Sequence, residues 1–124
     1  MNRIKNREQA LICIYQNMIY PRNLQELIED TDSTDLLEDT YIQEVMRTAV
    51  DNAERYRYYA NQVLEGWTFD RLGYVEQAII LCGCAEFDLK QIEAAVIIDE
   101  YIKLAKKYCD AESYKLINGV LDRI

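Results

Sequence analysis

Apolar side chains recur at helical spacing along most of the chain, and no segment alternates in the manner of a β-strand. From Ile4 to Ile19, apolar residues follow one another at steps of three, four and seven positions. This spacing places them on one face of a helix. Pro21 follows, and because proline cannot continue a helix, it marks the end of the element. The pattern therefore predicts an amphipathic first helix.

A capping pattern marks the start of the next helix. Asn23 precedes Glu26 by three residues, which is the spacing at which an N-cap side chain and the third helical residue exchange hydrogen bonds. The apolar residues that follow fall on one helical face. Residues 30–40 are polar and acidic, and this composition predicts turns with one short helical turn among them.

A second capping pattern, Thr40 with Gln43, opens the most regular stretch of the chain. Apolar residues continue from it in one stripe to about Glu65. Gly66 suits the end of a helix because glycine easily adopts the left-handed conformation found there. We therefore predict a single long helix in this region. In the connection that follows, we expect Trp67 to be a core anchor.

The C-terminal half predicts three further helices. Apolar residues surround the whole circumference of residues 75–87, which favours a central, buried helix, and Gly83 would allow a neighbouring helix to approach it closely. A second helix spans residues 98–108. Asp110 can cap the last helix, in which Gly119 is expected to make another tight contact.

These elements predict an all-α bundle of about six to seven helices that forms one domain over residues 1–124. Half of the 124 residues are hydrophobic, while one proline and four glycines are too few for a β-sandwich or barrel. No uncharged stretch reaches the ~20 residues that a membrane helix needs. The polar N-terminus does not resemble a signal peptide, so we expect a soluble, cytoplasmic protein with no membrane contact.

The composition also argues against enzymes. The chain has no histidine, which excludes Ser-His-Asp and Cys-His catalysis and imidazole-bound zinc. Its four cysteines lack C-x-x-C spacing, so we expect them to be reduced and mostly buried. Asp35, Glu38 and Asp39 could gather a divalent ion, but a solvated acidic surface is the preferred interpretation. We expect no catalytic residue, no metal site and no cofactor.

The net charge of −8 is unevenly distributed. The first 22 residues carry +3, whereas residues 23–66 contain eleven acidic and three basic side chains. A basic arm on an acidic body can bind phosphate even though the body repels it. An ordinary solvated helix end is the alternative interpretation.

Within that arm, Arg3 and Arg7 share a helical face, and Lys5 adds a third cation that can meet a curved RNA strand. Tyr15 lies two turns beyond Arg7 and either offers a stacking ring to a base or packs in the core. The segment 55–59 interleaves two arginines with three tyrosines and is a weaker candidate for contact with single strands.

Three segments of the C-terminal half resemble the NusB family. They are residues 67–81 (WTFDRLGYVEQAIIL), residues 96–108 (VIIDEYIKLAKKY) and residues 113–122 (SYKLINGVLD), of which the run INGVLD is the most specific. Residues 7–15 (REQALICIY) look like the start of the first helix of that family. The resemblance spans nearly the whole chain and is weakest across residues 22–62.

This resemblance implies a non-enzymatic, all-helical transcription antitermination factor. Members of the family bind the boxA element of nascent RNA together with a small-subunit ribosomal protein, NusE, within the transcription elongation complex, and support processive transcription of ribosomal RNA. Some members are homodimers, so a homodimer is possible here. The alternative is a module of the same fold that has lost RNA binding and works through protein contacts.

The resemblance also assigns residues to the two partners. It assigns Arg3, Lys5, Arg7 and Tyr15 to the RNA, and we add Lys115 of the last helix to this RNA-binding set. Two acidic positions, one opening the fifth helix of the family and one before its last helix, fall on Glu76 and Glu112 and are assigned to the protein partner. Tyr74 flanks Glu76 and can anchor an interface.

Overall fold

The computed structural model describes residues 1–29, 31 and 34–124, and within these ranges it contains helices and no strand. The α-helices are α1 (Arg3–Ile19), α2 (Leu24–Glu29), α3 (Thr34–Glu38), α4 (Thr40–Asp51), α5 (Ala53–Val63), α6 (Tyr74–Leu89), α7 (Ala94–Tyr108) and α8 (Ala111–Arg123), with a 3-10 turn at Phe69–Arg71. The all-α class is confirmed, with more helices than the six to seven predicted. The predicted short helical turn corresponds to α3, while residues 30, 32 and 33 of the same predicted region lie outside the described residues.

Helix α6 is the centre of the bundle, as predicted. Every residue from 77 to 86 is buried, and α1, α4, α5, α7 and α8 all pack against this helix. Gly83 makes the predicted close contact, because a Cβ atom built there would lie 3.0 Å from Cδ2 of Leu121. The matching prediction for Gly119 is wrong. No atom lies within 4 Å of a Cβ atom built on Gly119, since that side of α8 faces no neighbour.

The predicted long helix is wrong, because it is two helices that meet at Asn52. The backbone of Asn52 (φ −114°, ψ 17°) leaves the helical region, and its side-chain Nδ2 donates to the carbonyl of Thr48 at 2.9 Å. Helix α4 then packs on α1 and α6, whereas α5 packs on α6 and α8. The apolar stripe continues through the break, so periodicity alone does not reveal it.

The helix caps are confirmed in two cases and wrong in one. The Oδ1 atom of Asn23 accepts from the backbone of Glu26 at 2.8 Å, and Asp110 accepts in the same way at the start of α8. At the start of α4, however, the N-cap is Asp39 and not Thr40. Gln43 does not complete a capping box, because its Nε2 donates to carbonyls at the end of α3.

The aromatic residue that anchors the segment after α5 in the core is not the predicted one. The side chain of Trp67 is 49% exposed and lies under the guanidinium of Arg71, so its predicted role as a core anchor is wrong. Phe69, two residues later, is buried in the core instead.

Three of the four cysteines are buried, and Cys84 is one of them. Burial raises the pKa of the Cys84 thiol to about 12. None of the described helices is long and apolar enough to cross a membrane.

Candidate nucleic-acid and protein interface

The first turn of α1 is held against the start of α3. The side chain of Asn2 caps α1 by accepting from the backbone of Lys5 at 3.0 Å, and the backbone of Asn2 donates to Asp35 at 2.8 Å. This backbone hydrogen bond is the main cause of the lowered pKa of Asp35. The basic arm is therefore not a free tail but the anchored beginning of a helix.

Arg3 is held on one edge and one face. Its Nε donates to Oδ2 of Asp39 at 2.9 Å, and its guanidinium carbon lies 4.7 Å from the centre of the Tyr41 ring. The side chain remains 38% exposed. The rest of the guanidinium can therefore meet a phosphate or stack on a base while these contacts persist.

Lys5 is the more available cation of the arm. Its side chain is exposed, and it has no ion pair with any residue in the described ranges. A surface lysine of this kind can exchange its solvent shell for a phosphate without first breaking a bond inside the protein. The structure therefore leaves Lys5 as a candidate RNA contact.

Arg7 does not lie on the surface, which corrects its predicted role as an RNA contact. Its side chain is 4% exposed and forms two hydrogen bonds with Glu86 of α6, at 2.7 and 2.9 Å. Burial alone would lower the pKa of Arg7, but the hydrogen bonds and charge of Glu86 outweigh it and raise that pKa. The face that Arg3 and Arg7 share turns into the bundle after one helical turn, so only the first of them reaches solvent.

Tyr15 is half-buried and packs against the core. This placement is compatible with both roles expected from the sequence, core packing and stacking on a base. One part of the ring fills space in the bundle, and the remainder is accessible. A stacking role for Tyr15 stays a prediction.

Glu8 links α1 to the end of α7. Its Oε2 accepts from Nζ of Lys107 at 2.6 Å and from the hydroxyl of Tyr108 at 2.5 Å. These two hydrogen bonds lower the pKa of Glu8. Because Glu8 lies one turn beyond Lys5, the contact brings the basic arm next to the α7–α8 connection.

Two of the three proposed partner residues lie near that connection. Tyr74 is 51% exposed at the first position of α6, and Glu76 lies in the same turn beside Cys109. Burial and the Glu76 carboxylate raise the pKa of the Cys109 thiol to about 11. Glu112, in the first turn of α8, is exposed. The structure therefore brings Glu76 and Glu112 to one end of the bundle, whereas Tyr74 lines a cleft with residues of α1, α4 and α5.

Lys115 is exposed one turn beyond Glu112 and has no ion pair within the described part of the chain. It adds a cation to the edge of the acidic end. A continuous surface runs from the basic arm across the end of α7 to the starts of α6 and α8. It includes Lys5, Glu8, Glu76 and Glu112. One extended ligand, or two ligands in contact, could lie along it.

The two other candidate clusters are weaker candidates. Arg55 pairs with Asp88 at 2.5 Å, and Arg57 pairs with Asp70 at 3.1 Å, so each cation of segment 55–59 has an acidic partner. Asp39 is fully buried and caps α4. Among the described residues, no three metal-ligating side chains lie close enough to share an ion.

Sequence reasoning missed two residues that shape the arm. Glu86 is the only charged residue from 77 to 87, and a lone carboxylate in so apolar a stretch indicates a buried cation as its partner. That signal could have identified Arg7. Tyr41 carried no comparable signal, because an aromatic residue on the apolar stripe of a helix looks like ordinary core.

Comparison with known proteins gives consistent results. The model of the NusB family matches residues 4–124. The transcription antitermination protein NusB of Aquifex aeolicus is 31% identical over 123 residues, covering 95% of this chain and 83% of that protein. NusB of Shouchella clausii is 30% identical over 122 residues, covering 98% and 92%.

Solved structures agree with these sequence relatives. NusB of T. maritima superposes with a TM-score of 0.86 at 27% identity, covering 99% of this chain and 89% of that one. A crystal structure of the antitermination factors NusB and NusE in complex with double-stranded RNA gives a TM-score of 0.79 at 30% identity, covering 98% and 96%.

Proposed function

This chain belongs to the NusB family, and from that premise we propose that it is a transcription antitermination factor. It binds boxA-type single-stranded RNA together with the ribosomal protein NusE, joins the transcription elongation complex and supports processive transcription of ribosomal RNA. It acts by binding and not by catalysis. The observation that carries this proposal is the anchored arm, where Lys5 and the open edge of Arg3 face solvent beside an acidic end of the bundle.

The charges explain why two partners are needed. The body is acidic, so it repels RNA beyond the reach of the arm, and RNA alone should bind weakly. The same acidity attracts a basic protein, as ribosomal proteins commonly are. Glu76 and Glu112 meet that partner, with the exposed ring of Tyr74 as the anchor of the interface. A docked basic protein cancels repulsion and extends the RNA surface next to Lys115.

Removing the arm cations should weaken RNA binding and reduce its salt dependence. The double variant Arg3→Ala/Lys5→Ala loses about two phosphate contacts, so the slope of log affinity against log salt should fall by about 1.4 for a single strand. The measurement is fluorescence anisotropy with a boxA-type oligonucleotide at several salt concentrations.

The matched control for the arm is Lys90→Ala/Arg123→Ala. This variant removes the same charge from a cleft that both side chains line, away from the arm. We expect a smaller loss of affinity and a slope that stays within experimental error. Equal slopes for the arm variant and the unaltered chain would refute the assignment, and a lack of RNA binding by the unaltered chain would favour the module that works without RNA.

Reversing the charge of Glu76 should weaken binding of the protein partner. Glu76→Lys places a cation against a basic surface, and like-charge contact at an interface costs on the order of several kcal/mol, so affinity should fall at least about tenfold. Glu93→Lys is the control. Glu93 is exposed and precedes the first residue of α7, whereas Glu76 lies beside Cys109 at the opposite end of α7. Undiminished binding of NusE by Glu76→Lys, measured by calorimetry, would place the partner elsewhere.

A further inference from the structure

Tyr41 is fixed at both ends between α4 and α6. Its backbone belongs to the first turn of α4, and its hydroxyl donates to Oε1 of Glu86 at 2.7 Å. The same Oε1 atom accepts from Nη2 of Arg7 at 2.9 Å. Burial, reinforced by Glu86, raises the pKa of Tyr41, so the hydroxyl stays protonated and continues to donate. The ring therefore has one defined position.

Arg3 lies over one face of this ring, which is itself 9% exposed. The guanidinium carbon of Arg3 is 4.7 Å from the ring centre, and Asp39, two residues before Tyr41 in the chain, accepts from Nε of Arg3 at 2.9 Å. Two groups at the start of α4 thus hold one face and one edge of the same guanidinium. Within the described ranges, the acceptor of its Nη2 atom is the weak acceptor Sδ of Met1, at 3.7 Å.

Restraint of this kind changes binding without adding a contact to the ligand. A long, flexible side chain loses rotamer freedom when it binds a phosphate or a base, and a side chain that is already held loses less. The planar guanidinium is well suited to this, because one face and one edge can be engaged while the other edge remains free.

We propose that Tyr41, oriented by Glu86, is a positioning residue for RNA binding: it holds Arg3 in the orientation in which that arginine meets the nucleic acid. The proposal rests on the function proposed above and adds a residue that touches no RNA itself. It also gives the buried pair of Arg7 and Glu86 a part in recognition, because Glu86 fixes the ring on which Arg3 lies.

The competing interpretation is that Tyr41 only fills the core. The two differ in coupling, because a positioning residue acts through Arg3 and a structural residue does not. If Tyr41 acts through Arg3, then replacing it must have no effect on RNA affinity once Arg3 is gone. If Tyr41 is merely structural, then its effect is the same in both backgrounds.

The experiment is a double-mutant cycle in which the affinity of each variant for a boxA-type oligonucleotide is measured at low salt. Thermal melting of each variant shows whether it is folded. Tyr41→Leu should weaken binding about three- to fivefold, as expected for loss of one cation–π contact at a partly exposed site. The same change in an Arg3→Ala background should alter affinity by less than about 1.5-fold. Tyr41→Phe keeps the ring beneath Arg3 and its volume in the core, so it should retain more affinity than Tyr41→Leu.

Equal losses from Tyr41→Leu with and without Arg3 would overturn the positioning role, as would a loss in Tyr41→Phe that is the same with and without Arg3. If Tyr41→Leu fails to fold, Tyr41→Phe completes the cycle, because loss of its bond to Glu86 should weaken binding only when Arg3 is present. A chain that binds no RNA, or binds it equally well after Arg3→Ala, would instead overturn the role of the arm itself. The two failures are therefore distinguishable.

Discussion

Glu86→Ala should lower the free energy of unfolding by about 3–5 kcal/mol, the usual cost of leaving one charge of a buried pair without its partner. Both side chains are almost completely buried, at 4% exposure for Arg7 and 0% for Glu86. The guanidinium would lose two hydrogen bonds, and the hydroxyl of Tyr41 would lose its acceptor. Urea denaturation followed by circular dichroism measures the change.

Two controls separate the buried charge from other effects. Arg7→Met/Glu86→Leu removes both charges and keeps the volume, so it should recover most of the lost stability. Glu44→Ala breaks an exposed pair with Arg47 and should cost less than about 1 kcal/mol. A loss below about 1 kcal/mol for Glu86→Ala would show that the pair is hydrated and that α1 is not held through it.

Gly83→Asp should also cost about 3–5 kcal/mol, because it buries an unpaired carboxylate where two helices touch. A Cβ atom alone would lie 3.0 Å from Leu121, which leaves no space for a charged group. The result tests the central position of α6, and the melting temperature reports it directly.

Gly119→Asp is the matched control for this change. It makes the same substitution in the interior of a helix, but nothing lies within 4 Å of the new Cβ position. We expect stability to change by less than about 1 kcal/mol, since aspartate and glycine have similar modest helix propensities. An unchanged melting temperature for Gly83→Asp, or equal losses at the two glycines, would contradict the packing of α6 against α8.

The sequence predicted the helical elements because burial of one face imposes a period that can be read from residue types. It could not predict the break at Asn52. Both halves keep their apolar residues in phase across the break, and the break depends on a local bond between Asn52 and Thr48. The wrong cap at Thr40 has a similar cause, because the adjacent Asp39 is an equally good N-cap residue and is also held by Arg3.

The candidate site was only partly predictable for a different reason. The basic character of the arm follows from composition, but which of its cations reach solvent depends on where the helix axis lies relative to the bundle. Arg3 and Arg7 share a helical face, yet one is at the surface and the other is inside. The decisive information is the position of Glu86, 79 residues away in the chain, and local patterns do not contain it.

The most direct test of the account is calorimetric titration of boxA-type single-stranded RNA into this chain, first alone and then with saturating NusE. A docked basic partner should cancel the repulsion of the acidic body. RNA affinity should therefore rise by a factor of about 5–150, and by linkage RNA should strengthen NusE binding by the same factor. A parallel titration with duplex RNA shows whether the gain belongs to single strands. Identical affinity for single-stranded RNA with and without NusE would contradict the account.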